Sequence, residues 1–241
     1  MGEQIMVGSI LVEVIFKDIK NVHLSVHPPT GRIRIAAPEH TSLDTLRVYA
    51  ISKLNWIRKA QAKLQAQERE TQREYIDRES HYLWGSRYLL RVNEVERPPS
   101  VTLRHNEILL SVRPNSDRAK REEVISAWYR EEVRKAVEPI IPQWEKEMAV
   151  RVNQLFVQRM KTRWGSCNPH KGNIRLNTEL AKKPRNCLEY ILVHEMVHLL
   201  EPTHNTQYTK LMDQFMPQWR HYRDELNQAP LGYMLSDRRN E

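Results

Sequence analysis

Between Leu188 and Leu200 the chain is apolar at almost every position: Leu188, Ile191, Leu192, Val193, Met196, Val197, Leu199 and Leu200. A helix over this stretch has no polar face to turn to water, so it must be buried. Yet it carries His194, Glu195 and His198. Burying three such side chains is costly unless something satisfies them. Residues four apart stack on one helical face, so the imidazoles of His194 and His198 can meet a single metal ion. Glu195 is rotated by about 100° from His194, close enough to act on a water at the ion without ligating it. That is the mechanical sense of HExxH: two ligands and one general base on a short helical stretch.

Pro184 suits the first turn of this helix and Pro202 stops it near Glu201. A catalytic zinc takes three protein ligands and keeps one position for water. His204 is the best third ligand, since the chain can turn back past Pro202. Glu201, in the same helical row, and Asp213, further on, remain the carboxylate alternatives. His23, His27, His40, His81, His105, His170 and His221 read as surface or turn residues.

The rest of the chain divides into three stretches, 1–78, 79–150 and 151–241, the last two separate or one continuous domain. In the first, Ile10, Val12, Val14 and Phe16 alternate, as do Val22, Leu24 and Val26, and then Ile33 and Ile35 beyond a turn at His27–Gly31. The period of two predicts strands with one buried face, forming a β-meander. A long helix follows, capped by Thr41 or Ser42, with Leu43, Leu46, Ala50, Leu54, Ile57 and Leu64 near one face, before a polar stretch from Gln67 to Arg73. In the second, strands over 81–112 include a hairpin at His105-Asn106, and Asp117 caps a helix of about 20 residues carrying Val124, Ile125, Trp128, Val133 and Val137. In the third, a strand at 155–160 and a return strand at 173–177 precede the apolar helix. Asn205 or Thr206 starts the next one. No internal repeat is evident in the sequence. The fold class is α+β.

The 241 residues are 40% hydrophobic, which argues against global disorder. The formal charge of +8 and a pI near 9.5 favour anionic partners, nucleic acid first among them. Cys167 and Cys187 form no CxxC pair and no disulfide ladder, which suits a reducing cytoplasm. The N-terminus has no basic stretch leading into an apolar core, and no apolar run approaches the roughly 18 residues of a membrane helix, so a soluble cytoplasmic protein is expected.

Arg163-Trp164-Gly165-Ser166-Cys167, Asn173-Ile174-Arg175-Leu176-Asn177, the HExxH at His194–His198, and His204-Asn205 together resemble the YgjP-like metallopeptidase domain, a family related to the SprT-like and Wss1-like zincins. The N-terminal strands and Asn55-Trp56-Ile57-Arg58 are similar as well, so the likeness covers most of the chain. The metzincin Met-turn is absent. The resemblance implies a minimal zincin core, a small sheet packed on the active-site helix. It also implies His194, His198 and His204 as ligands of Zn2+ and Glu195 as base. It leaves the substrate open. Trp164 reads as core, Gly165 as serving a tight backbone path, and Cys167 and Cys187 as small buried residues rather than nucleophiles. Arg163 and Arg175 can bind an anionic substrate group or act as structural ion-pair partners. Four activities fit the sequence: a peptidase, a hydrolase of a non-peptide bond such as a nucleotide phosphoanhydride, a DNA-associated protease, and a non-catalytic zinc-binding module. The last would need a fourth protein ligand.

Overall fold

The computed structural model describes residues 3–27, 31–66, 73–160 and 163–228. The turn over 28–30, the polar stretch over 67–72, Lys161, Thr162 and the side chain of Leu64 lie outside the described residues. The architecture is α+β, with seven α-helices and three small sheets among the described residues. No described helix is long and apolar enough to cross a membrane. The chain forms two compact units, one up to residue 66 and one from residue 73 to 228 among the described residues.

The first unit contains β1 (Glu3–Val7), β2 (Ile10–Lys17), β3 (His23–His27) and β4 (Arg32–Pro38), followed by α1 (Leu43–Ser52) and α2 (Leu54–Ala66). The expected strands are there, and β1 is added to them. Their order is β1-β2-β4-β3, with β2 and β4 parallel, so the sheet departs from a meander. The reason lies in which strands are most apolar. β4 buries Ile33, Ile35 and Ala37, whereas β3 buries no residue completely. A meander would put β3 inside and leave β4 half-solvated. The observed order places the apolar strand in the centre, next to Val12 and Val14 of β2. The expected single long helix is two, broken at Lys53. Ser42 is the cap, its hydroxyl accepting from the Thr45 amide at 3.2 Å. Leu46, Ala50 and Ile57 turn inward onto the sheet.

The second unit opens with β5 (Ser80–Leu83), β6 (Ser86–Glu94), β7 (Ser100–Arg104) and β8 (Glu107–Val112), then α3 (Arg118–Val137) and α4 (Ile141–Met148). The hairpin at His105-Asn106 forms as expected. Asp117 caps α3, accepting from the Lys120 amide at 2.8 Å. The strand order, β5-β6-β8-β7 with β6 and β8 parallel, is the same as in the first unit. The pairs Val12↔Ile33 and Val14↔Ile35 have their counterparts in Leu90↔Ile108 and Val92↔Leu110. The topology therefore repeats although the sequence shows no repeat, because alternation fixes only which face of each strand is buried and leaves the choice of apolar residue free.

The same core continues through a third sheet, β10-β11-β9, built from β9 (Gln154–Gln158), β10 (Gly165–Asn168) and β11 (Asn173–Asn177). β10 and β11 are an antiparallel hairpin, and β9 runs parallel to β11. Against this sheet packs α5 (Arg185–Val197), followed by α6 (Thr206–Phe215) and α7 (Trp219–Gln228). Ile174 and Leu176 of β11 are fully buried with Leu192, Val193 and Met196 of α5.

His81 departs from the expected surface position. It is 2% exposed, on the same face of β5 as buried Leu83, with Nε2 3.0 Å from a Glu79 carboxylate oxygen. Burial first, and then Arg73, lower its pKa to about 4. The folded state thus holds a neutral imidazole that the unfolded chain protonates below about 6.5. Stability is fully present above that pH and is lost as pH falls from 6.5 toward 4. Replacing His81 with Gln should flatten the wild-type slope in this window by up to about 1.4 kcal/mol per pH unit, measured by urea unfolding. Parallel wild-type and variant curves would contradict it.

Candidate metal centre

α5 ends at Val197, earlier than its sequence suggested, and His198 closes it in helical conformation. Leu199 and Leu200 continue as a turn, their amides donating to Met196 and Val197 carbonyls at 3.0 Å. The chain then reverses. The Glu201 carboxylate accepts from the Thr203 amide at 3.2 Å and the Thr203 hydroxyl at 2.9 Å. Asn205 caps α6 by accepting from the Tyr208 amide at 2.9 Å. Between these anchors His204 swings back over α5.

The result is a cluster of three imidazoles. One ring nitrogen each from His194, His198 and His204 lies within 4.8 Å of the others. The Nε2 atoms of His194 and His204 are 3.1 Å apart. Two nitrogens at zinc-ligand distance in tetrahedral geometry are separated by roughly 3.3 Å, so the spacing is close to that of a bound ion. His204 follows His194 by ten positions, the spacing of the longer HExxHxxGxxH motif, with Glu201 where that motif has glycine.

Protonation fits as well. Burial above all, then His198 and His204, push the His194 imidazole down to about 3. Burial also lowers His198. Neutral imidazoles are what a cation requires. The Nδ1 of His198 faces the Glu201 carbonyl at 3.1 Å. A carbonyl only accepts, so Nδ1 carries the proton and Nε2 keeps its lone pair. The residues present therefore suit a divalent metal. Neither carboxylate alternative joins them. Glu201 is engaged with Thr203, and Asp213 accepts from Trp219 at 2.8 Å and from Arg220. Among the described residues the cluster has three members and no fourth.

Glu195 is 5% exposed, beside the triad on α5. Burial pushes its carboxyl up to about 8, and Arg163 draws it back. A dication at the histidines would act in the same sense as Arg163. The position depends on Gly165, at the start of β10. A Cβ there would lie 2.5 Å from one Glu195 carboxylate oxygen and 2.8 Å from its Cγ. The tight path read from the sequence is thus a seat for the carboxylate, a strand-to-helix contact that no local pattern reveals.

The other candidates divide. Arg163 is exposed and within electrostatic reach of Glu195. Arg175 alternates with buried Ile174 and Leu176, so it lies on the other face of the sheet, its guanidinium 5.3 Å from the Phe156 ring centre. Trp164 is partly buried against the core, with the Lys183 ammonium 5.9 Å from its ring centre. Burial, then Glu195, raises the Cys167 thiol to about 11. Burial, then Glu225, raises Cys187 to about 12. Both stay protonated near neutral pH and are poor nucleophiles.

Gly165→Ala should displace the Glu195 carboxylate while leaving the three imidazoles in place. Metal analysis should find unchanged content, and hydrolytic turnover should fall by about 100-fold. An alanine variant with full turnover would show that the carboxylate does not need this seat.

The chain is similar to two solved structures. One is the metallopeptidase zymogen of Pyrococcus abyssi abylysin, with 18% identity and a TM-score of 0.35, covering 37% of this chain and 90% of that one. The other is the metallopeptidase zymogen of Methanocaldococcus jannaschii jannalysin, with 17% identity and a TM-score of 0.33, covering 40% and 94%. No curated protein matches the chain. The family described as YgjP-like, metallopeptidase domain, matches residues 20–229, and by that match over most of its length the chain belongs to the YgjP-like metallopeptidase family.

Proposed function

We propose that the protein is a zinc-dependent peptidase, with His194, His198 and His204 as the ligands and Glu195 as general base. The observation that carries this is the convergence of three imidazoles, with His194 and His198 held toward the neutral form by burial, beside a buried carboxylate whose affinity for protons is raised. Zinc held there would supply Lewis acidity for a scissile carbonyl and for the attacking water. Glu195 takes the proton of the attacking water and hands it to the leaving amine. Its low exposure keeps bulk water from competing for that proton. The exposure of His204 leaves the triad accessible from solvent on one side.

A peptide substrate suits the neighbouring backbone. β10 is the outer strand of its sheet, so one edge of Gly165–Asn168 pairs with no other strand among the described residues. An extended peptide can add there through main-chain hydrogen bonds, beside the carboxylate seated on Gly165. The exposed Arg163 supports a second reading, in which the same centre cleaves a nucleotide phosphoanhydride and the guanidinium contacts its phosphates.

Glu195→Gln should keep its zinc and lose between about 10² and 10⁴ in kcat, with peptide assays and metal analysis run on one preparation. Wild-type turnover in that variant would remove Glu195 from the mechanism. A panel of peptides and nucleoside triphosphates, each with and without chelator, separates the two substrates. Chelator-sensitive phosphate release without peptide cleavage would overturn the peptidase reading.

A further inference from the structure

Tyr208 touches all three members of the histidine cluster. It lies in the first turn of α6, where the Asn205 cap holds its amide, and it is 3% exposed. Its ring stacks on His198, with centres 4.8 Å apart and planes at 29°. It meets His204 edge-on at 4.6 Å and His194 at 5.4 Å. Its hydroxyl is 2.6 Å from His194 Nδ1 and 3.4 Å from the His194 carbonyl oxygen.

The hydroxyl has one proton to give and lone pairs to receive. The hydroxyl can give its proton to the His194 carbonyl at 3.4 Å while its oxygen accepts from Nδ1–H at 2.6 Å, and this is the arrangement that leaves Nε2 free for a cation. His194 is then fixed with its proton on Nδ1, and its Nε2 lone pair faces His204 and the centre of the cluster. The opposite arrangement, with the hydroxyl donating to Nδ1, would put the ring proton on Nε2, where a cation must bind. His198 is fixed in the same sense by the Glu201 carbonyl. The two ligands on the helix therefore each have their remote nitrogen engaged.

We propose that Tyr208 is a positioning residue of the metal centre. It sets the tautomer and ring orientation of His194 through its hydroxyl, and its ring packs against His198 and His204. The assignment rests on the reading of the triad as a metal site. Residues of this kind alter metal affinity by about 10- to 100-fold when they are removed.

The test uses the full chain, stripped of metal and titrated with zinc against a chromophoric chelator. Tyr208→Phe keeps the ring and removes only the hydroxyl. It should weaken zinc binding by about 10- to 100-fold, with the metal-free melting temperature recorded alongside. Unchanged affinity would overturn the role of Tyr208 while leaving the metal site intact, and so would a loss confined to metal-free stability. A wild-type chain that takes up no zinc would overturn the metal site itself and this role with it. A second measurement needs no variant. In 15N-histidine spectra of the metal-free wild type above pH 7, the His194 proton should reside on Nδ1. A proton on Nε2 would refute the assignment.

Discussion

Everything at the candidate site depends on the desolvation of three titratable side chains on one apolar helix. α5 buries Leu188, Ile191, Leu192, Val193, Met196 and Val197 and has no solvent face to spare. Withdrawing His194 and Glu195 from water disfavours the charged form of each, so the imidazole falls to about 3 and the carboxyl rises to about 8. The neutral imidazole is the state a dication requires, and a dication there would draw the carboxyl back down, as Arg163 does, toward the ionised form a general base needs. The same burial that makes the helix expensive to fold therefore prepares its chemistry, and the surrounding structure compensates locally: a carbonyl for His198, a hydroxyl for His194, and a missing Cβ for Glu195.

Rigidity comes from the sheets. β11 sits at the centre of its sheet with Ile174 and Leu176 packed against α5, so the helix is held along its length rather than at its ends. β10, which seats Glu195, is held to β11 through four register pairs from Gly165↔Leu176 to Asn168↔Asn173. The Glu195 carboxylate is thus located by two secondary elements, a helix that carries it and a strand that limits where it can go. Elements of this kind hold catalytic geometry more precisely than loops do.

What was legible in the sequence follows from the range of the interaction. The His194–His198 pairing is local, set by helical pitch, and could be read directly. So could the reversal at Pro202 that returns His204, the Asn205 cap and the His105-Asn106 hairpin. The position of β4 between β2 and β3 could not be read from alternation, which reports which face is buried and is silent on neighbours in the sheet. His81 was masked by its polarity, although it alternates with Leu83 as a core position should. Tyr208 resembled any apolar residue of an amphipathic helix, because its hydroxyl acquires meaning only when α6 folds back on α5. Gly165 was legible as a tight path, but the group that fills the vacated space lies on another element.

The loop from Leu199 to Asn205 resolves a difficulty that the helix alone cannot. Two ligands on one helical face hold an ion from a single direction, and a third from the same row would leave the coordination poorly tetrahedral. The third must come from elsewhere, yet a ligand on a loop is entropically loose. Glu201 addresses both needs with different atoms. Its carbonyl engages Nδ1 of His198, the last histidine of the helix, and its carboxylate holds the amide and hydroxyl of Thr203, next to His204. Those Thr203 hydrogen bonds lower the carboxyl from its ordinary value, so it is an ionised acceptor across the neutral range. A residue that looked like a rival ligand instead ties the helical end of the site to the returning loop. The order of exposure among the three histidines, from buried His198 through half-buried His194 to exposed His204, then leaves the open side of the cluster at the one imidazole supplied by the loop.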